Sequence, residues 1–215
     1  LEYDRCIVAP GISFKDNIEG YNGGAMSKMP HAWKAGPQTA ALRDQLQAMD
    51  NGGLVVMAAP PNPFRCPPGP YERACQIAMY LRNHKPKSKL LILDAKDKFS
   101  KFGLFKQAFE RHHKGTIEWV SADNGGKVTR VDAKNNTLYV GDTAHKADVA
   151  NVIPAQVAGA IAQKAGLTND SGWCPIDGRT FESTMHKGIH VIGDASIAAP
   201  LPKSGYAANS EGKSC

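Results

Sequence analysis

Between Leu54 and Asp94 the chain sets two continuous apolar runs on either side of a proline-rich loop and an amphipathic stretch, and few folds accommodate that order. The runs are Leu54-Val55-Val56-Met57-Ala58-Ala59 and Leu90-Leu91-Ile92-Leu93, the second closing on Asp94. Short apolar runs without polar alternation read as strands buried on both faces. Residues 71–84 carry Ala74, Ile77, Ala78 and Leu81 at helical spacing, and Pro86 stops them. Two buried strands joined through a helix make a βαβ crossover, which is parallel and right-handed.

The rest of the chain extends the same pattern. A buried strand is expected within residues 3–10, ended by Pro10-Gly11, and a linker follows it with Gly20, Gly23 and Gly24. Helices are expected over residues 39–49 and 100–112, and a strand over 117–120. Residues 127–131 and 137–140 alternate around Lys134-Asn135-Asn136, as in a small half-exposed antiparallel meander. A buried strand over 148–153 ends at Pro154, a short helix is expected over 156–165, and a last strand over 189–192 runs into Gly193-Asp194-Ala195. The fold class is α/β.

Composition narrows the function. Of 215 residues, 42% are hydrophobic and 21% charged, enough apolar surface for a core and too little charge for a disordered chain. No apolar run reaches the length of a membrane-spanning helix. The net charge of +6 reads first as a solvated surface, one that can attract anions, an acidic protein partner or nucleic acid. The lysines (Lys85, Lys87, Lys89, Lys96, Lys98, Lys101) are not interleaved with aromatics, so no nucleic-acid platform is expected. The five cysteines form no C-x-x-C and the seven histidines no H-E-x-x-H, so no metal centre is assigned. Cys6 and Cys75 are expected to serve packing, Cys174 to stand on a turn before Pro175, and Cys215 to be exposed.

Three segments carry chemistry. The loop after the Leu54 strand occupies the position of a glycine-rich phosphate turn, yet it holds prolines at 60, 61, 63, 67, 68 and 70 and only Gly69. Proline has no amide to offer a phosphate. Nicotinamide dinucleotide binding is therefore not expected, and Asp94 loses its warrant as a ribose-binding acid. The loop instead presents Cys66 between prolines, beside Arg65 and before a helix, where cation and helix dipole both favour thiolate. Glu72, in the first helical turn, is a candidate proton carrier. At the carboxyl ends of two other strands stand Pro10-Gly11 and Gly193-Asp194, the edge where ligands of open α/β sheets bind. The third segment, from Lys203 through Ser204 and Gly205 to Tyr206, suits a helix start packed against a cofactor.

These residues together resemble the flavoprotein subunit of flavocytochrome c sulfide dehydrogenase, a two-dinucleotide-domain flavin disulfide reductase. The likeness runs through Tyr3-Asp4-Arg5-Cys6-Ile7-Val8-Ala9-Pro10-Gly11, Pro30-His31-Ala32-Trp33, Phe64 to Ala74, Gly172-Trp173-Cys174-Pro175, His186 to Ala195 and Pro202 to Tyr206. The resemblance implies a Rossmann-like fold in three stretches. Residues 1–15 would end the first half of an FAD-binding domain. Residues 16–155 would form a second, NAD-like domain, and residues 156–215 would return into the FAD domain. It implies an internal piece, because the family's amino-terminal FAD fingerprint and second redox cysteine fall outside the chain. In the family, sulfide attacks a cysteine disulfide, and electrons pass to FAD and on to a c-type cytochrome subunit. By that likeness Cys66 is half of the redox pair and Glu72 the acid/base. Asp194, Pro10, Gly11, Gly193, Lys203 and Tyr206 lie at the flavin, and the location is periplasmic. A sulfide:quinone oxidoreductase and a non-catalytic docking module are the alternative readings.

Overall fold

The computed structural model describes residues 2–215. The chain forms two compact units. One holds residues up to Lys15 with Pro63–Pro67 and Gln156–Cys215; the other holds Asp16–Asn62 and Pro68–Ala155.

The chain opens in the first unit with β1 (Cys6–Val8) and β2 (Ile12–Phe14). It enters the second through α1 (Gly23–Lys28), α2 (Pro37–Ala48) and β3 (Leu54–Ala59). There it continues as α3 (Gly69–His84), β4 (Lys89–Asp94), α4 (Phe102–His112), β5 (Ile117–Val120), β6 (Arg130–Asp132), β7 (Thr137–Val140), β8 (Thr143–Lys146) and β9 (Val149–Val152). It returns to the first unit as β10 (Gln156–Ala158), α5 (Ala160–Lys164), β11 (Cys174–Pro175), β12 (Ile189–Val191), β13 (Ser196–Ile197) and α6 (Gly205–Ser214).

The second unit is built on a parallel sheet of order β5-β4-β3-β9. Its apolar runs are continuous because both faces are covered. Side chains alternate along a strand, so each face takes every second residue. Val55, Met57 and Ala59 join Leu90 and Ile92 in a core with Leu42 of α2, Ala74, Ile77 and Leu81 of α3 and Phe109 of α4. Val56, Ala58 and Leu93 face the other way, onto Val131 and Leu138 of the antiparallel β6-β7-β8 sheet and onto Tyr21 and Met29. Helix α3 begins on Gly69-Pro70, carries Glu72 in its first turn, and ends with Arg82 and His84 in its last, charges that suit its dipole at both ends.

In the first unit β1 pairs parallel with β12 (Ile7 opposite His190), β10 pairs antiparallel with β2 (Gln156 opposite Phe14), and β11 pairs parallel with β13. Three expectations need correction. The stretch taken for a linker at Gly20–Gly24 contains the start of α1, capped by Asn22, whose side chain accepts from the Ala25 amide. The helix expected over 156–165 begins as a strand. Gln156–Ala158 pairs with β2, and only Ala160–Lys164 is helical, because the ladder to Ile12–Phe14 outbids a weak local helix preference. Finally, β1 is not buried: Ile7 is 54% exposed and Cys6 half-buried.

Candidate flavin and thiol site

In the first unit the proline loop, the Gly-Asp turn and the start of α6 meet. Cys66 stands in the left-handed region at φ 56°, which L residues other than glycine adopt only when their surroundings hold them there. The surroundings do so from both sides. The Cys66 amide donates to the Lys203 carbonyl at 2.8 Å, and the preceding Arg65 amide donates to Gln156 Oε1 at 2.9 Å. The Cys66 side chain is half-buried.

Lys203 ties this loop to the Gly-Asp turn. Its Nζ donates to the backbone carbonyls of Asp194 (2.8 Å) and Ser196 (2.6 Å) and lies 3.9 Å from the centroid of the Trp173 indole. Burial lowers its pKa to about 8, with Asp194, Cys174 and Glu211 pulling it back up. Next to it, the buried Cys174 thiol is pushed up to about 11 by desolvation, against the Lys203 charge. Cys174 is thus an inert packed thiol in β11 rather than a residue on an open turn.

Gly193, at φ 74°, begins a short 3-10 turn through Ala195. Its amide donates to Oε2 of Glu211, a residue of α6 only 3% exposed, at 2.5 Å, and its carbonyl accepts from Ser196 Oγ. Asp194 follows. No hydrogen bond or ion pair among the described residues engages its carboxylate, and burial raises its pKa while Arg65 and then Lys203 lower it. A half-buried carboxylate without a partner, at the carboxyl end of β12, suits the hydroxyls of a ribityl chain, so the residues present fit a flavin cofactor. Pro10 and Gly11 close β1 in the same unit. Gly159 passes so near them that a Cβ there would sit 2.2 Å from the Pro10 carbonyl oxygen. Tyr206 is the second residue of α6 and 86% exposed, after the capping Ser204, whose hydroxyl accepts from the Ala207 amide.

The structure thus brings Cys66, Asp194, Gly193 and Lys203 into one cluster. Glu72 stands in the second unit, exposed on α3, with its charge acting on the Cys75 thiol one turn on; burial and then that charge raise the Cys75 pKa. Gln156, Trp173 and Glu211 were not foreseen as site residues. Gln156 sat within an expected helix. A polar residue at the start of a strand flanked by Pro154 and Gly159 was the signal that could have found it.

In the second unit the acid that ends β4 is engaged by its own neighbours. Asp94, fully buried at the end of β4, accepts from Tyr71 Oη (2.5 Å), Trp119 Nε1 (2.9 Å) and Lys96 Nζ (2.6 Å). Lys96 Nζ also donates to the Pro60 carbonyl at 2.5 Å, at the mouth of the proline loop. Phe99 stacks on Tyr71 with centroids 3.4 Å apart. The cavity at the carboxyl ends of β3 and β9, lined by Pro60, Pro61, Val128 and Ile153, measures about 50 Å³. Ligand pockets run to roughly 300 Å³ and more.

Residues 39–154, more than half of the chain, match the family model described as "Sulfide dehydrogenase [flavocytochrome c] flavoprotein chain, central". The chain belongs to that family. Its fold is that of FAD- and NAD-binding disulfide reductases. Similar solved structures include a NAD-dependent persulfide reductase from A. fulgidus (16% identity, TM-score 0.64, covering 99% of this chain and 38% of that one). A thioredoxin reductase from T. acidophilum is similar at 13% identity and TM-score 0.62, covering 97% and 62%. So is a FAD-dependent pyridine nucleotide-disulphide oxidoreductase from Desulfovibrio vulgaris, at 17% identity and TM-score 0.53, covering 99% and 53%. The chain spans between about two fifths and about three fifths of the length of these neighbours. Among the described residues of this sulfide dehydrogenase relative, no helix is long and apolar enough to cross a membrane.

Proposed function

We propose that this chain is part of a flavoprotein that oxidises sulfide through Cys66 and FAD and delivers the electrons to a c-type cytochrome. The observation that carries the reading is the pairing, in one unit, of a stiffly presented cysteine beside Arg65 with the half-buried, unpartnered carboxylate of Asp194. Asp194, Gly193, Pro10 and Gly11 would hold the cofactor, with Lys203 fixing the turn beneath it and Tyr206 at the start of α6. Bound FAD supplies a two-electron acceptor that can pass electrons singly. Cys66 provides one sulfur of the disulfide that sulfide attacks, and the Arg65 guanidinium beside it in sequence favours its release as thiolate. Glu72 is the proton carrier of the reading, and α3 gives it a first-turn position open to solvent. The family membership supports a flavin-dependent oxidoreductase of this class. The reading further takes a cytochrome partner and a periplasmic location from the family name, and residues 16–155 as an NAD-like domain without nucleotide.

The test is an anaerobic sulfide titration of the full-length flavoprotein, following flavin absorbance and then an added c-type cytochrome. Bleaching followed by cytochrome reduction is expected, and Cys66→Ser should abolish both. Substantial bleaching in Cys66→Ser would remove Cys66 from the reaction, and a flavin that ignores sulfide would overturn the reading.

A further inference from the structure

Gln156 is 2% exposed, at the first position of β10 and opposite Phe14 of β2. Its two amide ends are in different states. Oε1 accepts from the Arg65 amide at 2.9 Å, which fixes the flip of the amide, because a backbone N–H requires the oxygen. Nε2 is buried and has no hydrogen-bond partner. Leaving such a donor unmade carries its full desolvation penalty, and natural interiors leave few of them. Its surroundings are the cofactor cluster. β10 lies against the Gly193–Ala195 turn, Arg65 acts on the Asp194 carboxylate, and the next residue of the loop is Cys66.

We infer that Gln156 is a cofactor-binding residue: Nε2 donates to a carbonyl oxygen or ring nitrogen of the bound flavin while Oε1 holds the Arg65–Cys66 backbone. One side chain then links the flavin to the presentation of the thiol. The inference rests on the flavoprotein reading above. A donor to the ring stabilises its electron-rich reduced form, so removing it makes the flavin harder to reduce.

Gln156→Glu keeps an acceptor for the Arg65 amide and removes the amide donor; Gln156→Leu removes both. In the full-length flavoprotein, a dye-coupled reductive titration measures the flavin midpoint potential without using sulfide, and iodoacetamide alkylation against pH measures the Cys66 thiol. Both variants are expected to shift the reduction equilibrium by about tenfold, roughly 30 mV negative for a two-electron couple, with an altered flavin absorption spectrum. In Gln156→Glu the Cys66 alkylation profile should stay as in the wild type. An unchanged potential and spectrum in both variants would overturn the inference, as an Nε2 satisfied by water requires. A moved alkylation profile with an unchanged flavin would overturn it too, assigning the donor to sulfur. Wild-type protein that binds flavin but ignores sulfide would sink the sulfide reading alone, and the potential shift would still decide Gln156.

Discussion

Lys203 is held by two carbonyls and an indole face, with no carboxylate in hydrogen-bond contact, and that choice of partners has a measurable consequence. Its pKa falls from the ordinary 10.5 to about 8 in the folded chain. Above pH 8 the folded protein therefore binds fewer protons at this site than the unfolded one, and stability rises with pH. Cys174 works against it above pH 9, where the unfolded thiol ionises and the folded one, at about 11, does not. Urea unfolding between pH 7 and 9 should show a positive stability slope in the wild type and a smaller one in Lys203→Met. An equal slope in both would mean that Lys203 is not the group responsible. Glu72 offers a second test at this scale. Glu72→Gln should move the pH profile of sulfide-dependent flavin reduction, and a profile identical to the wild type's would end its proton-carrying role.

A buried charge pair and a close backbone approach are among the features that hold the elements of the second unit. Lys96 and Asp94 lie with side chains 6% and 0% exposed, and Tyr71, Trp119 and the Lys96 amide also donate to the carboxylate. Burial drives the Tyr71 phenol well above its usual range and Asp94 adds to that, so Tyr71 stays a donor at any working pH. Lys96→Met leaves the buried carboxylate without its counter-charge and should destabilise the protein by roughly 3–5 kcal/mol, read as a fall in the denaturation midpoint. A Lys96→Met, Asp94→Asn double variant should recover part of the loss, and no recovery would mean that the pair is not the source. Gly126 lets the turn after β5 press on the end of β4. A Cβ there would lie 2.2 Å from the Val120 carbonyl oxygen and 2.7 Å from that of Asp94. Backbone atoms cannot step aside, so Gly126→Ala should cost about 1–3 kcal/mol, and a neutral result would contradict this packing.

For the molecule as a whole, the two dinucleotide-type units have gone separate ways. In the first, Asp194 stands at a strand end with no hydrogen bond to its carboxylate among the described residues, while in the second Asp94 is engaged by Tyr71, Trp119 and Lys96. Titration of the full-length flavoprotein with NADH, followed by calorimetry and by flavin absorbance, should show neither binding nor bleaching. Saturable NADH binding would require the Tyr71–Phe99 stack and the Asp94 cluster to open.

Much of this was legible along the chain because it rests on local signals. The apolar run Leu54–Ala59 and its partner ending at Asp94 need both faces buried, and the six prolines from Pro60 to Pro70 carry no amides for a phosphate cradle. The Gly-Asp turn and the proline-flanked Cys66 were readable in the same way, and so was the family. Tertiary structure decided what depends on distant partners. Gln156 became a strand residue through its ladder with Ile12–Phe14, and its amide met a loop 91 positions away. Cys66 took a left-handed backbone because Lys203, far along the chain, receives its amide. Asp94, which the proline loop leaves without a ribose-binding role, became a buried counter-ion because Trp119 and Lys96 converge on it. Propensity and periodicity act over a few residues, whereas the partner of a buried polar group is chosen by whichever part of the folded chain arrives beside it.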